Sequence, residues 1–157
     1  MAKKILIAFD ESENAMRAVD FVGAHFTPDA EVTLLSVLLD TQALCDMHSP
    51  ELTPYFKSEQ SAFCTLEDKK KEVVSQAMQA ARRGLVNCGF AADKVKTQAV
   101  VREKGVARDI IKTAQNGGYS VVVLGKAGTA GIKDFFMGSV SQKVVAGAKN
   151  VSVLLVE

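Results

Sequence analysis

Two stretches of the chain carry residue types that can do chemistry. Gly125-Lys126-Ala127-Gly128 follows the apolar run Ser120-Val121-Val122-Val123-Leu124, and nine residues separate Gly128 from Gly138-Ser139, which open a new helical pattern. Glycines let backbone come close to a bulky ligand. A helix N-terminus with unpaired amides and a nearby hydroxyl suits an anion, and phosphate is the expected one. The second stretch is Asp10-Glu11-Ser12, directly after Ile5-Leu6-Ile7-Ala8-Phe9. A carboxylate there can accept hydrogen bonds from ribose hydroxyls or an amino group. It can equally just shape the turn, as Ser12 can simply cap the helix that follows.

Neither standard phosphate loop fits. Lys126 is followed by Ala127 rather than Ser or Thr, and position 120 is Ser, so the Walker A spacing is absent. The dinucleotide fingerprint belongs after the first strand, where Asp10-Glu11-Ser12 stands instead. Lys126 and Lys133 can add charge near phosphates or sit as solvated loop lysines. Asp134 is the loop's carboxylate, and it reads as solvated rather than as a dedicated base, so no catalytic residue is assigned.

The elements that must position these residues follow from alternating apolar runs and helical periods, the pattern of a parallel sheet covered on both faces. Strands are expected at Ile5–Phe9, Val32–Leu38, Lys96–Val101, Ser120–Leu124 and Val151–Val156. Between them, Ala15, Ala18, Val19, Val22 and Phe26 keep helical spacing behind Ser12, and Val74, Met78, Ala81 and Leu85 mark a long helix whose start is placed at a Thr65/Asp68 capping box. Gly105 precedes a helix with Val106, Ile110 and Ala114 inward, and another runs from about Ser139 to Ala148. Residues 39–64, with Pro50 and Pro54, lose periodicity and read as an irregular insertion. The fold class is thus α/β, a Rossmann-like open parallel five-stranded sheet with helices on both faces. If the strand order reverses once, strands one and four lie side by side and Asp10 faces Gly125 across a crevice.

Composition narrows the function. The 157 residues suit a single domain, residues 1–157, and the net charge of +1 argues against nucleic acid or an acidic membrane surface as main partner. The opening apolar stretch is too short for a membrane span or a secretory leader. Lys69-Lys70-Lys71 reads as one solvated helix face. Cys45, Cys64 and Cys88 are odd in number and lack metal spacing, which suits free thiols in a reducing cytoplasm better than a disulfide framework, and no metal site is assigned.

The spacing Gly125, two residues, Gly128, nine residues, Gly138-Ser139, continued by Val140-Ser141 and closing on Val151–Val156, resembles the signature of the universal stress protein family, in its ATP-binding branch. The resemblance takes in nearly the whole chain, including Lys4–Asp10 and Leu34–Val37. It implies a sheet of order 3-2-1-4-5 with ATP, alone or with Mg2+, held between the ends of strands one, two and four. On that resemblance Asp10 contacts the ribose or base, Val37 meets adenine through its backbone, Gly125 sits beside the ribose, and Gly128, Gly138, Ser139 and Val140 contact the phosphates. It also implies a homodimer through Val151–Val156. Glu11 stands where a small residue is common and Lys126-Ala127 where a basic or histidine-containing pair is frequent; Glu11 brings a charge that opposes phosphate. The function implied is a cytoplasmic nucleotide-dependent stress or regulatory switch. Two alternatives use the same residues: a slow ATPase or nucleotidyl transferase, and a dimeric interaction protein that holds no nucleotide and whose glycines only permit tight strand-to-helix packing.

Overall fold

Five short strands, β1 (Lys4–Ala8), β2 (Glu31–Leu38), β3 (Val95–Val101), β4 (Val121–Gly125) and β5 (Ser152–Val156), pair in parallel in the order β3-β2-β1-β4-β5. The helices are α1 (Glu13–His25), α2 (Gln42–Cys45), α3 (Pro54–Asn87), α4 (Val106–Asn116) and α5 (Ser139–Gly147). This computed structural model describes residues 3–126 and 137–157. Among the described residues no helix is long and apolar enough to cross a membrane.

The centre of the sheet is buried on both faces because β1, β2 and β4 are apolar at successive positions, not at alternate ones. Ile5, Ile7, Val32, Leu34 and Val123 pack with α1 and α3 on one face. Leu6, Leu35, Val122 and Leu124 pack with α4 and α5 on the other. The side-chain period of two thus splits each of these three strands between two cores. Tyr119, just before β4, donates its hydroxyl hydrogen to buried Thr33 Oγ1 on β2 at 2.9 Å. Tyr119→Phe leaves that oxygen without its donor, and the expected loss is about 1 kcal/mol in a urea unfolding series.

The start of α1 follows the expected cap: Ser12 Oγ accepts from Ala15 N at 3.2 Å, and Ala15, Ala18, Val19 and Val22 are buried. The start of α3 does not. Its cap is Thr53, whose Oγ1 accepts from Phe56 N at 3.2 Å, with Pro54 in the first helical turn. Thr65 and Asp68 lie well inside the helix. Proline lacks an N–H that the first turn leaves unpaired anyway, so here it begins a helix rather than interrupting one. The stretch 39–64 therefore holds α2 and the opening turns of α3.

At 34 residues α3 is about 51 Å long, whereas the eight residues of β2 span about 26 Å. Its buried residues are Val74, Met78, Ala81 and Leu85, all in the C-terminal half. That is why the apolar period becomes readable only from Val74. The N-terminal half runs on past the sheet, and there Cys64 is bonded to Cys45 at the end of α2, with Cα atoms 5.9 Å apart. The expectation of free thiols at these two positions is corrected. Two cysteines 19 residues apart meet because one lies on a helix that the sequence pattern places too late. Cys88 is exposed and unpaired.

Candidate functional site

The order of the sheet reverses at β1, which is flanked by β2 and β4. Chains leaving these strands at their carboxyl ends diverge there, and a crevice opens. It is a cavity of about 740 Å³ bounded by the β1–α1 turn, the ends of β2 and β4, one face of α3, the start of α4 and the start of α5. Asp10, Val37, Gly125, Gly138, Ser139 and Val140 all line it. Gly128, with Ala127, Lys133 and Asp134, lies outside the described residues.

The backbone of β2 offers one end of the crevice a distinctive pair of groups. β1 and β2 pair as far as Ala8↔Leu35, and Phe9 N then donates to Leu35 O at 2.7 Å. On the other edge, Arg102 N donates to Leu38 O at 2.7 Å. Strand alternation sends the N–H and C=O of Val37 the same way as those of Leu35, toward the space β1 has just vacated. No hydrogen bond from a described residue reaches them there. An extended residue with one donor and one acceptor side by side complements an aminopyrimidine edge such as that of adenine. Val37, Val106 and Ile110 supply apolar surface around it.

At the opposite end stands the start of α5. Gly138 is its N-cap and offers no side chain, while Gln142 N donates back to Gly138 O at 2.9 Å. The amides of Ser139, Val140 and Ser141 make no hydrogen bond to a described residue. This leaves a set of convergent donors with the positive end of the helix dipole behind it. Two bonds hold that helix end against β4: Gly138 N donates to Lys126 O at 2.8 Å, and the buried Ser141 hydroxyl donates to Gly125 O at 2.9 Å.

Asp10 plays a part in the turn. One carboxylate oxygen accepts from Ser12 N at 2.8 Å, and the other makes no bond to a described residue. Gly125 also has a structural requirement of its own. A Cβ at this position would lie 2.9 Å from both the carbonyl carbon and the oxygen of Asn14, in the first turn of α1. Its lack of a side chain is therefore needed for α1 to seat against the end of β4, whatever occupies the crevice.

Sequence reasoning did not find the wall supplied by α3. Glu67, Lys70, Lys71 and Val74 share one face of that helix and line the cavity, joined by Arg102 just past β3. Lys71 Nζ donates to buried Thr41 Oγ1 at 3.2 Å, so this lysine is not part of a uniformly solvated face. The spacing was visible, but nothing local says that this part of α3 passes over the ends of β1 and β2. Three acidic side chains, Asp10, Glu11 and Glu67, share the rim with the three basic ones. With charge balanced among the described residues of the lining, these supply no general positive field, and the donors they offer an anion are the α5 amides.

A model of the family described as the universal stress protein family matches residues 1–157. The universal stress protein MJ0577 of Methanocaldococcus jannaschii is 31% identical over 162 residues, which cover 100% of this chain and 96% of that protein. Its solved structure superposes with a TM-score of 0.74 at 29% identity, over 99% of this chain and 96% of the other. A universal stress protein from Archaeoglobus fulgidus, solved in complex with dAMP, has the same fold at 14% identity and a TM-score of 0.62, over 100% and 98% of the two chains. Another, solved in complex with cAMP, does so at 16% identity and a TM-score of 0.63, over 99% and 97%.

Proposed function

Since the chain belongs to the universal stress protein family, we propose that its crevice binds ATP and that the protein is a nucleotide-dependent switch in a stress response rather than a catalyst. The observation that carries this reading is the pairing of two ends in one cavity of about 740 Å³: the backbone donor and acceptor of Val37, and the amides that begin α5, which bond to no described residue. A purine needs the first and a phosphate tail the second. The adenine nucleotides held by two proteins of the same fold agree with that ligand class.

In this reading Asp10 accepts from the ribose through the oxygen that Ser12 leaves unused, and Gly125 borders the sugar. Gly138, Ser139 and Val140 present main-chain N–H groups to the phosphates, with Gly128 completing the loop. A magnesium ion would travel with the nucleotide as its counter-ion, held by phosphate oxygens. The protein works as a homodimer in the cytoplasm. Support for the dimer comes from β5, an edge strand whose Val153, Leu154 and Leu155 stay half-exposed and which can pair with a copy of itself.

The direct test is to denature purified protein, identify the released small molecules by mass spectrometry, and titrate emptied protein with ATP by calorimetry. Release of adenine nucleotide and saturable binding of ATP are expected, and a crevice that stays empty in both experiments overturns the proposal. Intact ATP after hours with magnesium separates the switch from a slow ATPase. Asp10→Asn separates ligand from turn, because Asn keeps the oxygen that Ser12 N uses. It is expected to weaken ATP binding about tenfold with stability changed by less than about 0.5 kcal/mol. Asp10→Ala should lose the same affinity and about 1 kcal/mol of stability as well.

A further inference from the structure

The link between α2 and α3 bears on the crevice, and it is built unlike the rest of the molecule. Neither α2 nor the part of α3 before Val74 contributes a buried residue to the helix packing. What holds the two together is polar and covalent: the Cys45–Cys64 bond, the Lys71 to Thr41 hydrogen bond at 3.2 Å, and the amide of Gln60 donating to the carbonyls of Leu44 and Met47. The strand end that leads into α2 carries Leu38 and Leu39 on the cavity wall, and α3 carries Lys70 and Lys71 on the facing wall. The sulfur bridge therefore sits on the frame that sets the distance between two walls of the crevice. Both cysteines are half-buried, so small thiols can reach them.

We propose that Cys45 and Cys64 form a reversible redox clamp on the nucleotide crevice; this rests on the reading of that crevice given above. Closed, the bond fixes the overhanging half of α3 beside the ends of β1 and β2 and keeps Lys70 and Lys71 in place. Opened, it leaves only exposed or half-buried hydrogen bonds between segments with no shared core, and such segments open locally at low free-energy cost. Disulfides in a reducing compartment are usually transient and sensing, which fits a bond that is reachable and peripheral to the core.

The clamp closes by thiol–disulfide exchange with a low-molecular-weight disulfide such as oxidised glutathione. One cysteine thiolate attacks it, forming a mixed disulfide and expelling one glutathione thiolate, which takes up a proton. The second cysteine thiolate attacks the protein sulfur of the mixed disulfide and expels the other glutathione. Two electrons and two protons pass from the protein to the small disulfide, and an excess of a dithiol reverses the exchange.

The test uses the full chain with Cys88→Ser, so that no third thiol interferes, equilibrated with oxidised glutathione or with dithiothreitol. Calorimetric ATP titration is expected to give about tenfold tighter binding to the oxidised form. Adding Cys45→Ser or Cys64→Ser should fix the affinity at the reduced value under both conditions. Equal affinity of the oxidised and reduced forms overturns the proposal. Hydrogen exchange without nucleotide reads the clamp alone: reduction should speed amide exchange in residues 39–71 and leave β1 and β4 unchanged, and uniform exchange in both states also overturns it. Absence of ATP binding in either state, with faster exchange in 39–71 on reduction, removes the nucleotide reading and leaves a clamp on an empty crevice.

Discussion

Gly125→Val unfolds at markedly lower denaturant than the parent protein even when no nucleotide is present, with an expected loss of about 3 kcal/mol or more. The Cβ that any other residue adds would come within 2.9 Å of the carbonyl group of Asn14. That neighbour is backbone in the first turn of α1, so it cannot rotate aside as a side-chain tip would. To admit the new atoms α1 must lift from the end of β4, and Ala15 and Ala18, both buried on that helix, lose packing with it. Gly125→Ala carries the same clash without the extra methyls and should lose about 1–3 kcal/mol. Guanidinium unfolding of nucleotide-free protein measures both. Parental stability in Gly125→Val, together with lost ATP binding, would show that the glycine serves the ligand alone.

The second large effect is a divergence between stability and binding in Ser139→Asp. Its position is the first residue of α5, where a carboxylate faces the positive end of the helix dipole. The nucleotide-free protein should gain about 0.3–1 kcal/mol from that interaction. The same carboxylate occupies the place proposed for a phosphate. Two unit charges 4 Å apart near a protein surface repel by about 4 kcal/mol before salt screening. Even a third of that weakens ATP by about tenfold, and a loss of ten- to a hundredfold is expected by calorimetry. Ser139→Ala, which keeps the main-chain amide, should lose less than about fivefold. If Ser139→Asp bound ATP as the parent does, the phosphates would not lie at this helix.

What could be read from residues alone follows the range of the interactions involved. Strands β1, β2 and β4 are apolar enough throughout to announce themselves, and Ser12 caps α1 within three residues of its partner. The start of α3 is hidden because Pro50 and Pro54, in a stretch without apolar period, signal an irregular segment, whereas Pro54 is a permitted first-turn proline behind the Thr53 cap. That shift of the helix start accounts for Cys64, which the true helix carries beside Cys45; Lys71 lies on the expected helix in either case, and only its contact with Thr41, thirty residues earlier, takes it out of the solvated face. Gly125 was legible as a glycine that something requires, but the requirement from Asn14 comes from across the sheet. The crevice lysines were visible as residues and invisible as a wall, because only the length of α3 beyond the sheet brings them over the strand ends.

The hydrogen bond from Gly138 N to Lys126 O brings the chain back to where it departed from β4. With those two points fastened together, and Ser141 fastened to Gly125, the start of α5 is anchored directly to the end of β4. The donors at the start of α5 are therefore registered to the same strand end that carries Gly125, and a displacement of β4 moves both borders of the crevice together.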